Sequence, residues 1–313
     1  MKKIIAVVGG TGAQGGGLVR AILNDPEGGF KARVLTRKAD SDKAKELKDL
    51  GAEIVEADID NKESIITAFK GAYGAYCVTN FWEHFSPDRE LKQAKNMAEA
   101  GKEAGIQHVI WSTLEDTRKW IPLDDDRMPT LMEKYKVPHF DAKGEADDYF
   151  SDSKIPYTLL FTSFYWDNFI HFGMGPQKGE DGELTITLPM DNKPLPGIAA
   201  EDIGKCAYAI FKAGDTFKNK IVAIAGEHLT GKEMADTFSE VYGKKIKYNA
   251  VPPEVYRSFD FPGADDLGNM FQFKVMFEEY FCTIRDVNAT RKLNPELLTF
   301  RQWLDKYKDK MEI

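Results

Sequence analysis

Short apolar runs and amphipathic segments alternate along the first half of the chain. Residues 4–8, IIAVV, form a β-branched run that predicts a strand, and apolar residues at helical spacing follow between 18 and 23. The same alternation predicts further strands at 32–36, 52–55, 75–79 and 108–112, with helices at 43–50, 60–70 and 86–105. Strands and helices that alternate at this spacing form parallel βαβ units with right-handed crossovers. The sequence therefore predicts an α/β fold, a Rossmann doubly wound parallel sheet.

The second half of the chain is less regular. A charged stretch at 116–137 interrupts the alternation. Apolar spacing then predicts strands at 157–161, 184–188 and 221–225 and helices at 141–151 and 202–213. The segment GEHLTGK, 226–232, imitates a phosphate loop, but Glu233 stands where a Ser or Thr would hold magnesium. We interpret Thr230-Gly-Lys-Glu233 as a capping box that opens a helix.

We expect two interleaved lobes, because no linker rich in Pro, Gly or Ser separates the halves. Residues 1–160 would form the Rossmann domain, completed by about 200–226. Residues 161–313 would form a smaller C-terminal α/β lobe for a substrate or partner. In such folds ligands bind outside the carboxyl ends of the strands.

The glycine-rich segment VVGGTGAQGGG, 7–17, lies between the first strand and the first helix. It contains Gly9-x-x-Gly12-x-x-Gly15 and also Gly10-x-Gly12-x-x-Gly15, the spacing of a dinucleotide-binding turn. In that position glycines permit a tight turn and bring backbone N–H groups and a helix amino end close to a pyrophosphate. A tight turn without a ligand is the alternative. It would not require three consecutive glycines, each of which weakens a helix by about 1 kcal/mol relative to Ala.

The end of the second predicted strand distinguishes NAD from NADP. An acidic residue about twenty positions after the turn would bind a ribose 2′-hydroxyl, whereas Arg37 and Lys38 can hydrogen-bond a 2′-phosphate. Arg37 could instead be a solvated surface charge. Asp58, at the end of the third strand, either lies near the adenine or only caps a turn. The basic pair favours NADP(H) as the cofactor.

Several longer segments form a set: GGTGAQGG, Thr36-Arg37, VTNFWE at 78–83, HFDAKGE at 139–145, YWDN at 165–168, FPGADDLGNMF at 261–271 and the closing LNP and QWL. Together they resemble the NmrA-like family of atypical short-chain dehydrogenase/reductases. The match runs essentially from end to end, and it is greatest with the redox-sensor type within that family. The resemblance implies an NADP(H)-binding Rossmann lobe whose occupancy reports the redox state and alters contacts with protein partners.

The resemblance also implies roles for individual residues. Those implied for the pyrophosphate are Gly9, Thr11, Gly12, Ala13, Gln14, Gly15 and Gly16. Arg37 would hold the 2′-phosphate, assisted by Lys38 or Lys43, and Asp58 and Ile59 would flank the adenine. Those implied for the ribose and phosphate side are Thr79, Asn80, Phe81, Lys92 and Lys143. Those implied for the nicotinamide end are Tyr165, Trp166, Asp167 and Asn168.

The residues for catalysis depart from the pattern of a short-chain dehydrogenase. Such an enzyme uses a tyrosine as the proton donor, with a lysine one helical turn later to lower the tyrosine's pKa. After the fifth strand the chain has His139 four residues before Lys143 instead. The one Tyr-x-x-x-Lys, Tyr208 to Lys212, lies in a later amphipathic helix, where we expect the tyrosine to pack in the core. The candidate catalytic residues are Lys143 and His139. As a contact to the ligand, Lys143 needs only to reach it. His139 is either a general acid or a residue that caps the helix.

Two hypotheses follow for function. The first is a redox sensor that regulates protein partners without conventional dehydrogenase activity. The alternative is an NADPH-dependent reductase of small carbonyls or quinones, whose pocket would be lined by Phe164, Tyr165, Trp166 and Phe169. The tyrosine missing from its expected place leaves enzyme activity open.

Composition limits the classes of partner that we expect. A formal net charge of −8 over 313 residues argues against direct nucleic-acid binding. No apolar run approaches the roughly twenty residues of a membrane span, and the five histidines lack metal-ligand spacing. Cys77, Cys206 and Cys282 fit reduced buried thiols better than a disulfide framework. We expect a cytoplasmic protein that, as the family suggests, is also nuclear, binds a regulatory protein and forms a homo-oligomer such as a dimer.

Overall fold

The structure is a computed structural model that describes residues 2–179, 182–311 and 313. The chain forms two compact units, each assembled from separate stretches of sequence. Unit 1 comprises Met1–Asp116, His139–Thr162 and Glu201–Val222. Unit 2 comprises Thr117–Pro138, Ser163–Ala200 and Ala223–Ile313. The charged stretch that follows the fifth strand therefore belongs to unit 2.

The elements are numbered in chain order. The strands are β1 (Lys3–Val8), β2 (Phe30–Thr36), β3 (Glu53–Glu56), β4 (Gly74–Cys77), β5 (His108–Thr113), β6 (Tyr157–Phe161), β7 (Phe164–Tyr165), β8 (Gln177–Lys178), β9 (Leu184–Leu188), β10 (Leu195–Ile198), β11 (Lys220–Ala223), β12 (Glu227–Leu229) and β13 (Ile246–Ala250). The helices are α1 (Ala13–Leu23), α2 (Asp42–Asp49), α3 (Lys62–Phe69), α4 (Pro87–Glu103), α5 (Pro138–Asp152), α6 (Asn168–His171), α7 (Ala200–Lys212), α8 (Gly231–Tyr242), α9 (Pro253–Arg257), α10 (Ala264–Met276), α11 (Glu278–Ile284), α12 (Val287–Leu293) and α13 (Phe300–Tyr307).

The central sheet of unit 1 has seven strands in the order β11-β6-β5-β4-β1-β2-β3. The strand pairs from β3 across to β6 are all parallel, so their carboxyl ends share one edge of the sheet. The middle of β1 is fully enclosed, as is Tyr76 in β4, because the sheet is covered on both faces. The predicted α/β class, with a doubly wound parallel sheet, is confirmed.

Unit 2 contains two three-stranded sheets, in the orders β12-β10-β7 and β13-β9-β8. Helix α8 begins with the predicted capping box, in which Thr230 and Glu233 each bond the other's backbone N–H. The phosphate-loop interpretation of this segment is therefore not needed. None of the helices in the described residues has the length and apolar character that a membrane crossing requires.

One helix cap lies one residue away from its predicted place. The spacing Asp60-Asn-Lys-Glu63 predicts a capping box at the start of α3. This prediction is wrong, because Asn61 caps α3 and its Oδ1 accepts from Glu63 N–H at 3.1 Å. The Asp60 carboxylate is instead engaged by Arg89 of α4, with Nη2 and Oδ2 2.6 Å apart. A nearby arginine thus competes successfully for the aspartate, which a local sequence rule does not register.

Helices α1 and α7 approach each other with backbone in contact. A Cβ atom at Gly17 would lie 2.5 Å from the carbonyl oxygen of Glu201. One at Gly204 would lie 2.1 Å from the backbone nitrogen of Leu18. Any side chain at these two positions would push the helices apart. The late helix α7 is therefore packed directly on the first helix of unit 1.

We expect Gly204→Ala to destabilise the protein, because the added Cβ meets backbone atoms that cannot turn away. Overpacking of this kind costs about 1–3 kcal/mol. Gly16→Ala is the matched control, because it also replaces a helical glycine but places its Cβ 3.5 Å from the Gly10 carbonyl oxygen, an ordinary contact. Thermal unfolding followed by circular dichroism should give a lower Tm for Gly204→Ala only. Equal melting temperatures for the two variants would contradict the close packing.

Candidate functional site

The glycine-rich turn joins β1 to α1 at the carboxyl edge of the unit 1 sheet. Gly9 has a φ of +63°, and its carbonyl oxygen accepts from Gly12 N–H at 2.8 Å. A Cβ at Gly15 would lie 2.4 Å from that same oxygen, so the turn closes only with glycine there. Gly12 caps α1 without a side chain, and the first turn, Ala13 to Gly16, carries no acidic group. The turn therefore presents backbone donors and the helix dipole to an anion.

Gln14 connects this turn to the neighbouring strands. Its Oε1 accepts from the hydroxyl of Tyr76 in β4 at 2.5 Å and from the hydroxyl of Ser112 in β5 at 2.8 Å. These bonds fix the amino end of α1 to the sheet. Thr11 and Gly16, also predicted to contact a pyrophosphate, are half-buried in the same turn.

Arg37 follows β2 and forms a bidentate ion pair with Glu83. Glu83 ends the short 3₁₀ turn Phe81–Glu83 that follows β4. Nη1 lies 2.5 Å from Oε1 and Nη2 lies 2.9 Å from Oε2. The hydrogen bonds from Arg37 lower the pKa of Glu83, and those to Glu83 raise the pKa of Arg37. The two side chains are 56% and 39% exposed, so solvent limits the pair to about 1 kcal/mol at most.

The residues predicted to flank the adenine follow β3. Asp58 is exposed; its N–H donates to Ser64 Oγ and its Oδ1 accepts from Asp60 N–H, both at 2.9 Å. The carbonyl oxygen of Ile59 accepts from Asn96 Nδ2 at 3.0 Å. These bonds hold the loop and leave the Asp58 carboxylate at the surface. The remaining lysines of the prediction, Lys38, Lys43 and Lys92, are also exposed.

A buried ion pair lies just beyond β4, and the sequence predicted only its lysine. Glu90 in α4 has no exposed surface, and its Oε1 lies 2.8 Å from Nζ of Lys143 in α5. The Thr79 hydroxyl donates to Glu90 Oε1 at 2.5 Å and accepts from Lys143 Nζ at 2.6 Å. Burial opposes ionisation of Glu90, but the charge of Lys143 and the hydrogen bonds to the carboxylate outweigh it. They lower the pKa of Glu90 to about 2.

His84 stands on the other side of the Glu90 carboxylate. Its Nδ1 accepts from Ser86 N–H at 3.1 Å, which assigns the proton of the neutral ring to Nε2. Nε2 lies 3.5 Å from Glu90 Oε2. Glu90 belongs to the buried face of α4 with Gln93 and Met97. A charged residue on a buried helix face is the signal by which the sequence could have indicated this pair.

The candidate acid His139 is buried among aromatic rings one helical turn before Lys143. Its ring centroid lies 4.8 Å from that of Trp82 and 6.0 Å from that of Phe81. Phe81 is buried, whereas Asn80 beside it is exposed. The aromatic segment that follows β4 thus packs on His139 within unit 1.

The hydroxyl at the end of β5 is held by helix α5. Thr113 Oγ1 donates to Asp147 Oδ1 at 2.6 Å, and Trp111 Nε1 donates to the same oxygen at 3.0 Å. Lys143 Nζ lies 5.0 Å from the centre of the Trp111 ring. The Thr113 hydroxyl is therefore committed to a carboxylate.

The Tyr-x-x-x-Lys of α7 lies away from the glycine-rich turn. The Tyr208 hydroxyl donates to Asp25 Oδ2 at 2.9 Å, and Lys212 Nζ bonds the same oxygen at 2.7 Å. Asp25 follows the carboxyl end of α1, whereas the turn lies at its amino end. Burial, with the hydrogen bond to Asp25, raises the pKa of Tyr208, the opposite of what a catalytic tyrosine needs.

The four residues predicted for the nicotinamide end belong to unit 2. Trp166 is 1% exposed, and its ring centroid lies 5.4 Å from that of Phe300. Asp167 Oδ2 accepts from the backbone N–H of Ala200 at 2.9 Å. Packing and hydrogen bonding within unit 2 account for Trp166 and Asp167 without a ligand. Tyr165 and Asn168 are half-buried.

The aromatic wall predicted for a substrate pocket is wrong for three of its four members. Phe164, Trp166 and Phe169 are buried in unit 2, and Tyr165 alone keeps some exposure. The Phe169 ring packs 5.3 Å from that of Phe238. Large aromatic side chains contribute most to stability when they fill the core, and the sequence pattern does not distinguish that core from a lined cavity.

The arrangement of possible metal ligands and of the three cysteines bears on metal and thiol chemistry. Within 2–179, 182–311 and 313, no group of three or more His, Cys, Asp or Glu residues is arranged to hold a metal ion. Cys77 and Cys206 are buried, and burial raises the pKa of both thiols. Burial, with the charge of Glu278, raises the pKa of Cys282 to about 11. All three thiols are therefore protonated and poorly reactive near neutral pH.

Comparisons with known proteins cover nearly the whole chain. A sequence model described as the NmrA-like family matches residues 1–304. The NmrA-like family domain-containing oxidoreductase FrzB of Cladobotryum sp is 29% identical over 299 residues, 88% of this chain and 83% of that protein. An NmrA-like family domain-containing protein of Dictyostelium discoideum is 30% identical over 270 residues, 83% of this chain and 84% of that protein. Solved structures of NmrA, a negative transcriptional regulator, in complex with NADP and with NAD each have a TM-score of 0.79 at 23% identity, covering 97% of this chain and 95% of that chain.

We expect Glu90→Gln to lower the free energy of unfolding by about 3–5 kcal/mol near neutral pH, because the Lys143 ammonium, whose side chain is only 11% exposed, loses its counter-charge. Glu99→Gln is the control, because Glu99 pairs with Lys62 at 3.2 Å on an exposed face, where loss of the pair changes stability little. Urea denaturation of both variants and the unsubstituted protein measures the two effects. Equal losses in the two variants would contradict a structural role for the buried pair.

The unsubstituted protein and Glu90→Gln also measure how the contribution of Glu90 to stability depends on pH. Because the pKa of Glu90 is lowered, its contribution is fully present above the carboxyl's value in the unfolded chain, about 4.3. It is lost as the pH falls through the folded value of about 2. The stability difference between the unsubstituted protein and Glu90→Gln should therefore shrink between about pH 4 and pH 2. A difference that stays constant over this interval would show that Glu90 is not ionised in the fold.

Proposed function

The chain belongs to the NmrA-like family, and from that premise we propose that it binds NADP(H) and acts as a redox sensor through protein partners, without conventional dehydrogenase activity. One observation carries the proposal. The strands β1 and β2 are adjacent and parallel, the glycine-rich turn follows β1, and Arg37 follows β2. Backbone donors suit a pyrophosphate, and a guanidinium suits a 2′-phosphate. The NADP complex of the structurally similar NmrA adds support.

The residues of the turn fit this cofactor. A Cβ would fill the turn at Gly15, and glycine at 12 leaves the amino end of α1 open to phosphate oxygens. In the proposal, residues 9–16 hold the pyrophosphate and Arg37 the 2′-phosphate. The exposed carboxylate of Asp58 accepts a hydrogen bond from the adenosine part of the cofactor. A bound nicotinamide supplies hydride donor or acceptor chemistry.

The sensor reading is supported by how Lys143 and His139 are held. Glu90 and Thr79 both bond the Lys143 ammonium, which holds this positive charge in a fixed position. His139 packs among rings, and no tyrosine stands in its place. A fixed cation can orient a ribose or phosphate. In the proposal, cofactor occupancy changes the protein's oligomeric or partner state through different affinities for the two states.

A second candidate function is NADPH-dependent reduction of small carbonyls or quinones. The observation that favours it is the name oxidoreductase carried by the Cladobotryum relative. His139 would then supply a proton, and the Lys143 ammonium would stabilise the developing negative charge. Under either function we propose a cytoplasmic and nuclear homo-oligomer that does not bind nucleic acid directly.

We expect the protein to bind NADPH at least tenfold more tightly than NADH, because only NADPH offers a 2′-phosphate to Arg37. Arg37→Gln should abolish this preference and leave NADH binding unchanged. Arg20→Gln is the control, because it removes an arginine of similar exposure that pairs with Glu46 at 3.0 Å. Isothermal titration calorimetry measures each Kd. Equal affinities in the unsubstituted protein would contradict the cofactor assignment.

We expect no oxidation of NADPH above the uncatalysed rate across a panel of quinones and aldehydes, because Tyr208, the one tyrosine with a lysine four residues later, bonds Asp25 at the far end of α1 from the glycine-rich turn. Absorbance at the nicotinamide band measures turnover. Lys143→Met serves as the companion variant. Turnover that this variant abolishes, with folding and NADPH binding intact, would overturn the sensor function in favour of the reductase.

A further inference from the structure

The carboxylate of Glu83 is bonded to the Arg37 guanidinium, the group that the proposed function assigns to the 2′-phosphate of the cofactor. We propose that Glu83 is a competing anion: its carboxylate holds Arg37 until a 2′-phosphate displaces it, so that only the phosphorylated dinucleotide releases the turn at Phe81–Glu83. This inference rests on the proposed function and deepens it, because it names the residue through which occupancy of the 2′-phosphate site is reported.

The geometry of the pair matches the geometry of the ligand it would compete with. Both Nη atoms of Arg37 are engaged, one with each carboxylate oxygen of Glu83, at 2.5 and 2.9 Å. A phosphate binds an arginine through the same fork of two parallel N–H donors. The carboxylate and the 2′-phosphate therefore cannot use these two donors together. Both side chains reach solvent, so the exchange needs no opening of the core.

The surrounding charges make Glu83 the group that must leave. The charges that act on Arg37 are those of Glu83, Asp58 and Arg89. Arg89 is held by Asp60 through Nε and Nη2, and its charge also lowers the pKa of Glu83, so it favours an anion at this place. With Glu83 in place, a 2′-phosphate would enter beside two carboxylates and one committed arginine. Once Glu83 moves away, the Arg37 guanidinium is available to the phosphate.

Displacement of Glu83 would move other residues of unit 1 through the turn at Phe81–Glu83. Glu83 and Trp82 are neighbours in one short turn, so movement of one backbone moves the other. The Trp82 ring lies 4.8 Å from His139 and 5.5 Å from Phe81 between ring centroids. A change at Glu83 is therefore passed to an aromatic group whose fluorescence is measurable. NAD(H), which has no 2′-phosphate, would leave Glu83 on Arg37.

The test is a set of affinities for NADPH and NADH. Glu83→Gln removes the competing charge, so we expect NADPH to bind about five times more tightly and NADH to bind with an unchanged Kd. In Arg37→Gln/Glu83→Gln, removal of Glu83 should have no further effect. Glu46→Gln, which breaks a pair of similar exposure with Arg20, should change neither Kd. Glu83→Ala repeats the test with a side chain that cannot bond Arg37.

Fluorescence supplies the second readout. In the unsubstituted protein, 2′,5′-ADP should change the tryptophan emission and 5′-AMP should not, and Trp82→Phe should remove the change. An unaltered or weaker NADPH affinity in Glu83→Gln, or equal tightening for NADH, would overturn the inference. If NADPH still binds through Arg37 in that case, the proposed function stands and only the role of Glu83 fails. Loss of all dinucleotide binding in the unsubstituted protein would overturn both.

Discussion

A carboxylate with no exposed surface can stay ionised only where a cation or hydrogen-bond donors lie against it. Glu90 meets that condition through Lys143, and the Thr79 hydroxyl bridges the two groups. The contact ties together the segment after β4, helix α4 and helix α5. These three meet at the carboxyl edge of the sheet, where a doubly wound fold binds its ligand. The positions of Thr79, Glu90 and Lys143 at that edge depend on this pair remaining intact.

At the same edge of the sheet, the backbone donors and the side chains differ in whether they are already bonded. The glycine-rich turn leaves backbone donors open, whereas the side chains that a dehydrogenase would use are committed elsewhere. Lys143 is held by a carboxylate, Thr113 donates to Asp147, and His139 is enclosed by rings. Groups that are held in this way are rigid and keep a fixed charge pattern. Such an edge presents open backbone donors beside side chains whose charges are held in place.

Local patterns predicted the sheet, the turn and the capping box of α8, because each depends on residues a few positions apart. They did not predict Glu83 or Glu90, whose partners lie 46 and 53 positions away along the chain. Which carboxylate meets which cation is decided by strand order and helix placement, and neither is written in a local spacing. The aromatic residues of unit 2 show the converse limit. Phe164 and Phe169 carry a pattern shared by cores and pockets, and only tertiary packing distinguishes the two.

The order in which unit 1 is completed has a consequence for the newly made chain. Strand β11 pairs beside β6 at the rim of the sheet, but it is synthesised about 60 residues after the stretch that ends at Thr162. At about 5–20 residues per second, the ribosome needs several seconds to deliver it. Throughout that interval β6 presents an unpaired edge, a template on which other chains can add strands. The unfinished polypeptide therefore exposes an edge of β6 that β11 covers in the mature protein.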